Sequence, residues 1–155
     1  MFIISDFEYD MKIKSCLGCF NCWTKTPGCC IIHDESNEIS RSMIKCNNLI
    51  IVSKIVYGGY SPYIKRILDR SIPNILPFFK VVNNEMHHKP RYKKYPKLTV
   101  IGYGANITDS EKNTFKKLVK ANSINLQNNQ YEVFIVSSID EVKQLISKIE
   151  VKNNE

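Results

Sequence analysis

No stretch of this sequence stays apolar long enough to cross a bilayer. The longest apolar runs, such as 49–53 and 98–103, fall far short of the roughly 20 residues a spanning helix needs. Residues 1–10 open on four apolar side chains and turn acidic, which is not the order of a secretory signal. These absences point to a cytoplasmic chain with no membrane partner. Internal repeats are missing. So are the signatures of a zinc finger, a KH domain or an RRM, which leaves the net charge of +7 without a nucleic-acid reading module. Lys supplies 18 of the 22 basic residues, and Asn and Ile are abundant, a mix that an AT-rich coding genome produces as readily as selection for a polyanion. The one local basic concentration is 89–97. The positive field still attracts anions such as nucleotide phosphates. No Ser/His/Asp triad and no carboxylate pair stands out, and His33 beside Asp34 reads as helix-start chemistry.

What is present fits one domain over 1–155. A chain of 155 residues with 43% hydrophobic and 24% charged residues is long enough for a real core and too short for two comfortable ones. Apolar segments alternate between strand and helix patterns. Strands are expected over 1–5, 49–53, 98–103 and 131–136. Asp34 caps a helix carrying Ile39, Met43 and Ile44. Ser61-Pro62 starts a helix with Ile64, Ile67, Leu68 and Ile72 on one face. Thr108-Asp-Ser-Glu111 and Ser138-Ile-Asp-Glu141 are capping boxes ahead of two further helices. Pro73, Pro77, Pro90 and Pro96 mark 73–97 as a long loop, 16–32 is a Cys/Gly/Pro loop, and 150–155 is a frayed tail. The order implies an α/β fold with a parallel sheet, helices on both faces and right-handed crossovers.

Cysteine is the informative residue. Six occur, and five of them (Cys16, Cys19, Cys22, Cys29 and Cys30) fall within fifteen positions. In a chain without an export signal, clustered thiols suggest a metal, a cluster or redox chemistry more than a disulfide framework. Three thiolates spaced two residues apart can curl around one cubane cluster, with a fourth from the end of the loop. Gly18 and Gly28 permit the tight backbone. Free thiols, an occasional disulfide and zinc remain open beside the cluster; zinc sites more often use two separated pairs. His87 and His88 point apart in an extended chain, and the reading gives them no catalytic role.

The string Cys16-Leu-Gly-Cys-Phe-Asn-Cys-Trp23, followed by Thr26-Pro-Gly28, Cys30 and Asp34, resembles the flavodoxin-like NADPH-dependent FMN reductases and their relatives, the iron–sulfur flavoproteins. The segment 53–70 resembles their flavin loop and the helix after it. Met86-His-His-Lys-Pro-Arg-Tyr92 with Tyr95-Pro96 also resembles a segment seen in that group. The likeness runs from residue 1 to about 149. It implies a flavodoxin-like three-layer sandwich in which Met1 aligns with the family's second strand, so that the first strand, its phosphate-binding loop and the first helix are missing. In a sheet of order 2-1-3-4-5 that strand is internal. Its neighbours are then expected to pair directly, to pair with another chain, or to leave a gap, with a tight homo-oligomer or a shortened gene product as the corollary.

The resemblance implies FMN at the carboxyl rim of the sheet, held by Ser53, Lys54, Ile55, Val56, Tyr57, Gly58 and Gly59 on one loop and by Tyr103, Gly104 and Ala105 on another. The family's Ser-Pro-Val-Tyr-Trp-Gly-Gly reads here with Lys54 for the proline and Val56 for the first aromatic. Lys54 then favours a reduced, anionic flavin. A 4Fe-4S cluster is implied at Cys16, Cys19, Cys22 and Cys30, the last preferred over Cys29 by the family's pattern. The expected activity is flavin-dependent oxidoreduction or electron transfer, with electrons from NAD(P)H or a ferredoxin-type donor. Two other readings stand beside it. One is a cofactor-poor binding or dimerisation module that has lost the flavin, and the other is a thiol or metal redox protein. A nucleic-acid binder is the remotest.

Overall fold

The computed structural model describes residues 1–7, 12–128 and 130–154, the last three by backbone alone. Four strands form one parallel sheet: β1 (Phe2–Ser5), β2 (Asn48–Lys54), β5 (Lys97–Tyr103) and β6 (Tyr131–Val136), in the spatial order β1-β2-β5-β6. β1 and β2, which the resemblance sets on either side of an absent strand, pair directly, from Phe2 opposite Leu49 to Ser5 opposite Val52. Five of the seven residues of β2 are buried in succession, because both faces of the strand are covered.

Alternation along the strands sorts the core into two layers. Leu49, Ile51, Leu98 and Val100 face helices α2 (Ser36–Lys45), α3 (Pro62–Arg70) and α4 (Asp109–Asn125), meeting Ile39, Met43, Ile64, Ile67, Phe115 and Val119. Ile50, Val52 and Ile101 face the other way, onto Val142, Leu145, Ile146 and Ile149 of α5 (Ile139–Asn154). The three layers are the flavodoxin-like α/β architecture expected from the sequence. A one-turn helix, α1 (Asn21–Thr24), lies inside the cysteine loop.

Two expectations change. The segment 73–97 is not a loop throughout. After a short 3-10 turn (Ile72–Asn74) it forms an antiparallel hairpin of β3 (Ile75–Val82) and β4 (Glu85–Pro90). Asn83 and Asn84, with φ of 52° and 63°, make its two-residue turn, a left-handed pair that asparagine tolerates well. The prolines do not prevent it. Pro77 falls where the register shifts between Ile75 and Phe79, and Pro90 is the last residue of β4. At the other end, helical backbone continues through Asn154, so most of the segment expected to fray is helix, and Glu155 lies outside the described residues.

Candidate functional site

The cysteine loop leaves the sheet after β1 and returns into α2. Its backbone curls through left-handed residues, Gly18 (φ 63°), Phe20 (φ 56°) and Gly28 (φ 87°). α1 turns inside it and is held to the hairpin by Trp23, whose indole Nε1 donates to the Ile75 carbonyl at 3.0 Å. The indole stacks on Phe20 at 5.2 Å and packs against His88 at 4.9 Å. All six cysteines are free thiols. Cys22 is buried at the centre of the loop, Cys30 and Cys46 are half-buried, and Cys16, Cys19 and Cys29 are exposed.

The thiols divide by their surroundings. Burial pushes the Cys22 thiol up to about 11, and the neighbouring Cys30, Cys16 and Cys19 sulfurs push in the same direction. The Cys16 sulfur already accepts the Gly18 backbone N–H at 3.5 Å. Cys29 turns aside and donates to the Cys30 carbonyl at 3.7 Å. Cys46 sits at the far end of α2, donating to the Met43 carbonyl at 3.4 Å, with its thiol also pushed up by burial.

Among the described residues, no three His, Cys, Asp or Glu side chains stand close enough together to ligate one metal ion. A mononuclear zinc centre does not fit that geometry. A cubane cluster asks for something else, since its own core spaces the thiolates apart. Four thiols on one curled loop, with a backbone N–H aimed at one sulfur, suit that demand. A cavity of about 150 Å³ lies beside Cys30, lined also by Arg41, Lys45 and Tyr92.

The carboxyl rim of the sheet lies at the ends of β2 and β5. Ser53 is fully buried. Its hydroxyl accepts the Ser61 N–H at 2.9 Å and donates to the Lys54 carbonyl at 3.0 Å, closing the loop between them. Val56 and Gly59 exchange both backbone bonds, at 3.0 and 2.9 Å, around a two-residue turn with Tyr57 at φ 50° and Gly58 at φ 76°. Tyr57 stands 93% exposed at the tip. Gly58 packs on α4, where a Cβ would come within 2.9 Å of the Thr114 Cβ. Ile55 N donates to the Tyr103 carbonyl at 2.9 Å, and Gly104 N to the Val136 carbonyl at 3.2 Å. Ala105 is exposed on the second loop.

Asp6, just past β1, ties this rim together. Its carboxylate accepts the Lys54 N–H at 2.8 Å and the Tyr103 hydroxyl at 2.9 Å. Burial, followed by that hydrogen bond to a carboxylate and the charge behind it, drives the Tyr103 phenol well above its ordinary range. The predicted flavin residues do come together at one edge of the sheet. Several of their backbone donors are already engaged, and the charge added by Asp6 is negative. An exposed aromatic at a glycine turn suits a flat ring. A carboxylate on the same rim does not suit a phosphate, so the fit to FMN covers the ring and not its phosphate end.

His87 and His88 do point apart. His87 is buried between Asn125 Oδ1 at 2.9 Å and Glu85 Oε2 at 3.2 Å, while His88 Nδ1 meets the Leu76 carbonyl at 2.8 Å. Sequence reasoning missed Asp6 and Arg70. An acid directly after a strand is a signal for the first. Nothing local marks the second.

No family model matches the chain. The chain is similar to an iron–sulfur flavoprotein of Methanocaldococcus jannaschii, 36% identical over 64 residues, which cover 41% of this chain. The matched stretch spans about a third (32%) of that relative's length.

Proposed function

We propose that this chain is an electron-transfer protein of the iron–sulfur flavoprotein type, with a cluster held by Cys16, Cys19, Cys22 and Cys30. The observation that carries the reading is the loop itself, whose left-handed turns bring Cys16, Cys19, Cys22 and Cys30 onto one curl with Cys22 buried in it, while the Cys29 thiol is bonded to the Cys30 carbonyl. The likeness to part of a protein named an iron–sulfur flavoprotein supports it. Such a cluster supplies one-electron transfer when bound. The chain's own part is to curl the loop through Gly18, Phe20 and Gly28, to bury Cys22, and to direct the Gly18 N–H at a sulfur. A flavin ring would lie at Tyr57, Gly58, Tyr103 and Gly104, with NAD(P)H or a ferredoxin-type protein as donor. The domain extends over 1–155, in the cytoplasm, and works as a homo-oligomer.

The test is preparation and reconstitution without oxygen, followed by iron and acid-labile sulfide analysis. About four irons per chain are expected, with a broad visible absorption that Cys22→Ser abolishes and Cys29→Ser keeps. A colourless chain that takes up no iron overturns the cluster and leaves a thiol redox protein. A second reading concerns the rim alone and is favoured by Asp6. With its carboxylate bound to Lys54 N and Tyr103, the rim keeps the fold while losing the flavin, and the chain serves as a cofactor-poor binding module. Fluorescence titration separates the two. Submillimolar FMN binding upholds the flavoprotein, and no quenching of FMN upholds the module.

A further inference from the structure

Arg70, in the last turn of α3, is buried to 0% side-chain exposure. Its guanidinium meets the Asp34 carboxylate in two parallel bonds, Nη1 to Oδ2 and Nη2 to Oδ1, each 2.9 Å. Nη1 also donates to the Lys14 carbonyl at 2.7 Å, and Nη2 to the Ile32 carbonyl at 3.1 Å. Lys14 comes two residues before Cys16, and Ile32 two residues after Cys30. Asp34 in turn accepts the Lys14 N–H at 3.0 Å and the Ser36 N–H at 3.1 Å. One ion pair therefore joins both feet of the cysteine loop, which lie about twenty positions apart. One turn earlier on α3, Arg66 adds a bond from Nη1 to the Ile13 carbonyl at 3.1 Å.

Burying an arginine is an expensive way to fill space. An apolar residue of similar volume is often neutral or better in such a place. The cost is higher here because Nε is buried with no partner among the described residues. Ile64 and Ile67 already supply the apolar contacts of this helix. What a hydrophobic residue would not supply is a planar fork that satisfies two loop carbonyls and a carboxylate together.

We infer that Arg70 is the positioning residue of the cysteine loop: it clamps the two feet against α3, so that Cys16, Cys19, Cys22 and Cys30 are presented as one set. This goes beyond the proposed function, because it describes the reduced, metal-free chain as well.

The test uses the full reduced chain. Arg70→Met removes the charge at similar volume, and Arg70→Lys keeps the charge while losing the fork. Hydrogen exchange is followed in peptides covering 15–33 and 97–103. Trp23, the only tryptophan of the chain, reports from inside the loop by its emission. In Arg70→Met, exchange over 15–33 rises at least roughly tenfold with 97–103 unchanged, and the emission moves to the red. Arg70→Lys lies between. Loop exchange and emission equal to wild type overturn the inference, as does a rise shared equally by 97–103. If Arg70→Met does not fold, Arg70→Lys and Asp34→Asn make the same comparison. Reconstitution with ferrous iron and sulfide without oxygen, read by the visible absorption of the cluster, is the metal probe, and Arg70→Met is expected to incorporate at least roughly tenfold less. A wild-type chain that takes up no iron, but whose loop opens in Arg70→Met, upholds the inference and counts against the proposed cluster.

Discussion

Single residues at the rim carry opposing demands. Tyr57 holds a left-handed backbone at φ 50° while almost wholly exposed, so the turn gains nothing from burying it. Asn followed by Gly is the pair that such a turn prefers. Tyr57→Asn should therefore stabilise the chain by about 0.5–1 kcal/mol in urea unfolding. The same change removes the exposed aromatic, so any flavin affinity should fall. Rising stability with unchanged flavin binding would show that Tyr57 does not touch the ring. Gly102 makes the opposite case. Its φ is ordinary, but a Cβ there would stand 2.7 Å from both Ile55 Cδ1 and Phe115 Cε1. Gly102→Ala should cost about 1–3 kcal/mol by overpacking, seen as a lower urea midpoint with an unchanged slope.

At the level of elements, the starts of α3 and α4 were legible because capping chemistry is local, whereas α2 begins after Glu35 with no side-chain cap, and Asp34, expected as that cap, pairs with Arg70. Ser61 caps α3 through the Ile64 N–H at 3.4 Å with Pro62 behind it, and Thr108 and Glu111 form a reciprocal box. The last box is offset by one residue: Ser138 takes the Glu141 N–H, while the Glu141 carboxylate takes the N–H and hydroxyl of Ser137. Thr108→Ala should cost about 1 kcal/mol. Ser61→Ala should cost more, since the Ser61 hydroxyl caps the helix from a buried position where water cannot replace it. A Ser61→Ala loss no larger than the Thr108→Ala loss would mean that burial adds nothing to this cap. The parallel strands were legible because residues 49–53 and 98–103 are apolar without interruption, as strands covered on both faces must be. The hairpin was not, because four prolines outweighed the Asn83-Asn84 turn and residues 78–82 lack a two-residue alternation. The clustering of the thiols on one loop was legible from spacing, while Cys30 rather than Cys29 came only from the resemblance. Their clamp was not, because Asp34 and Arg70 are 36 positions apart and only the packing of α3 against the loop brings them together.

For the whole molecule, two kinds of buried group set the limits of pH in which the fold is stable. Burial alone would raise the Asp34 pKa, but the hydrogen bonds from Arg70, Lys14 N and Ser36 N and the guanidinium charge hold it below the ordinary carboxylate range. A carboxyl whose folded pKa is depressed contributes stability above its unfolded value, near 4, and loses it as the pH falls through the folded value. Tyr60 and Tyr103 act at the other end. Burial pushes Tyr60 up to about 12, and Tyr103 is raised by burial and by Asp6. A phenol whose folded pKa lies above its unfolded value, near 10, contributes fully below that value and loses its contribution as the pH rises through the folded one. Stability of the reduced, metal-free chain should therefore be level between about pH 5 and 8 and fall on both sides. Cys22, pushed up to about 11 by burial, adds to the alkaline loss and begins to act sooner, because free thiols ionise near 8.5. Urea unfolding at pH 7 and pH 11 separates these contributions. Tyr60→Phe with Tyr103→Phe should remove at least about half of the alkaline loss and leave the acid limb untouched. In that double variant Asp6 still holds the Lys54 N–H, so the rim keeps one of its two ties. An alkaline limb as steep as wild type would mean that the phenols are not the groups the fold protects, and would assign the loss to Cys22 and the loop around it.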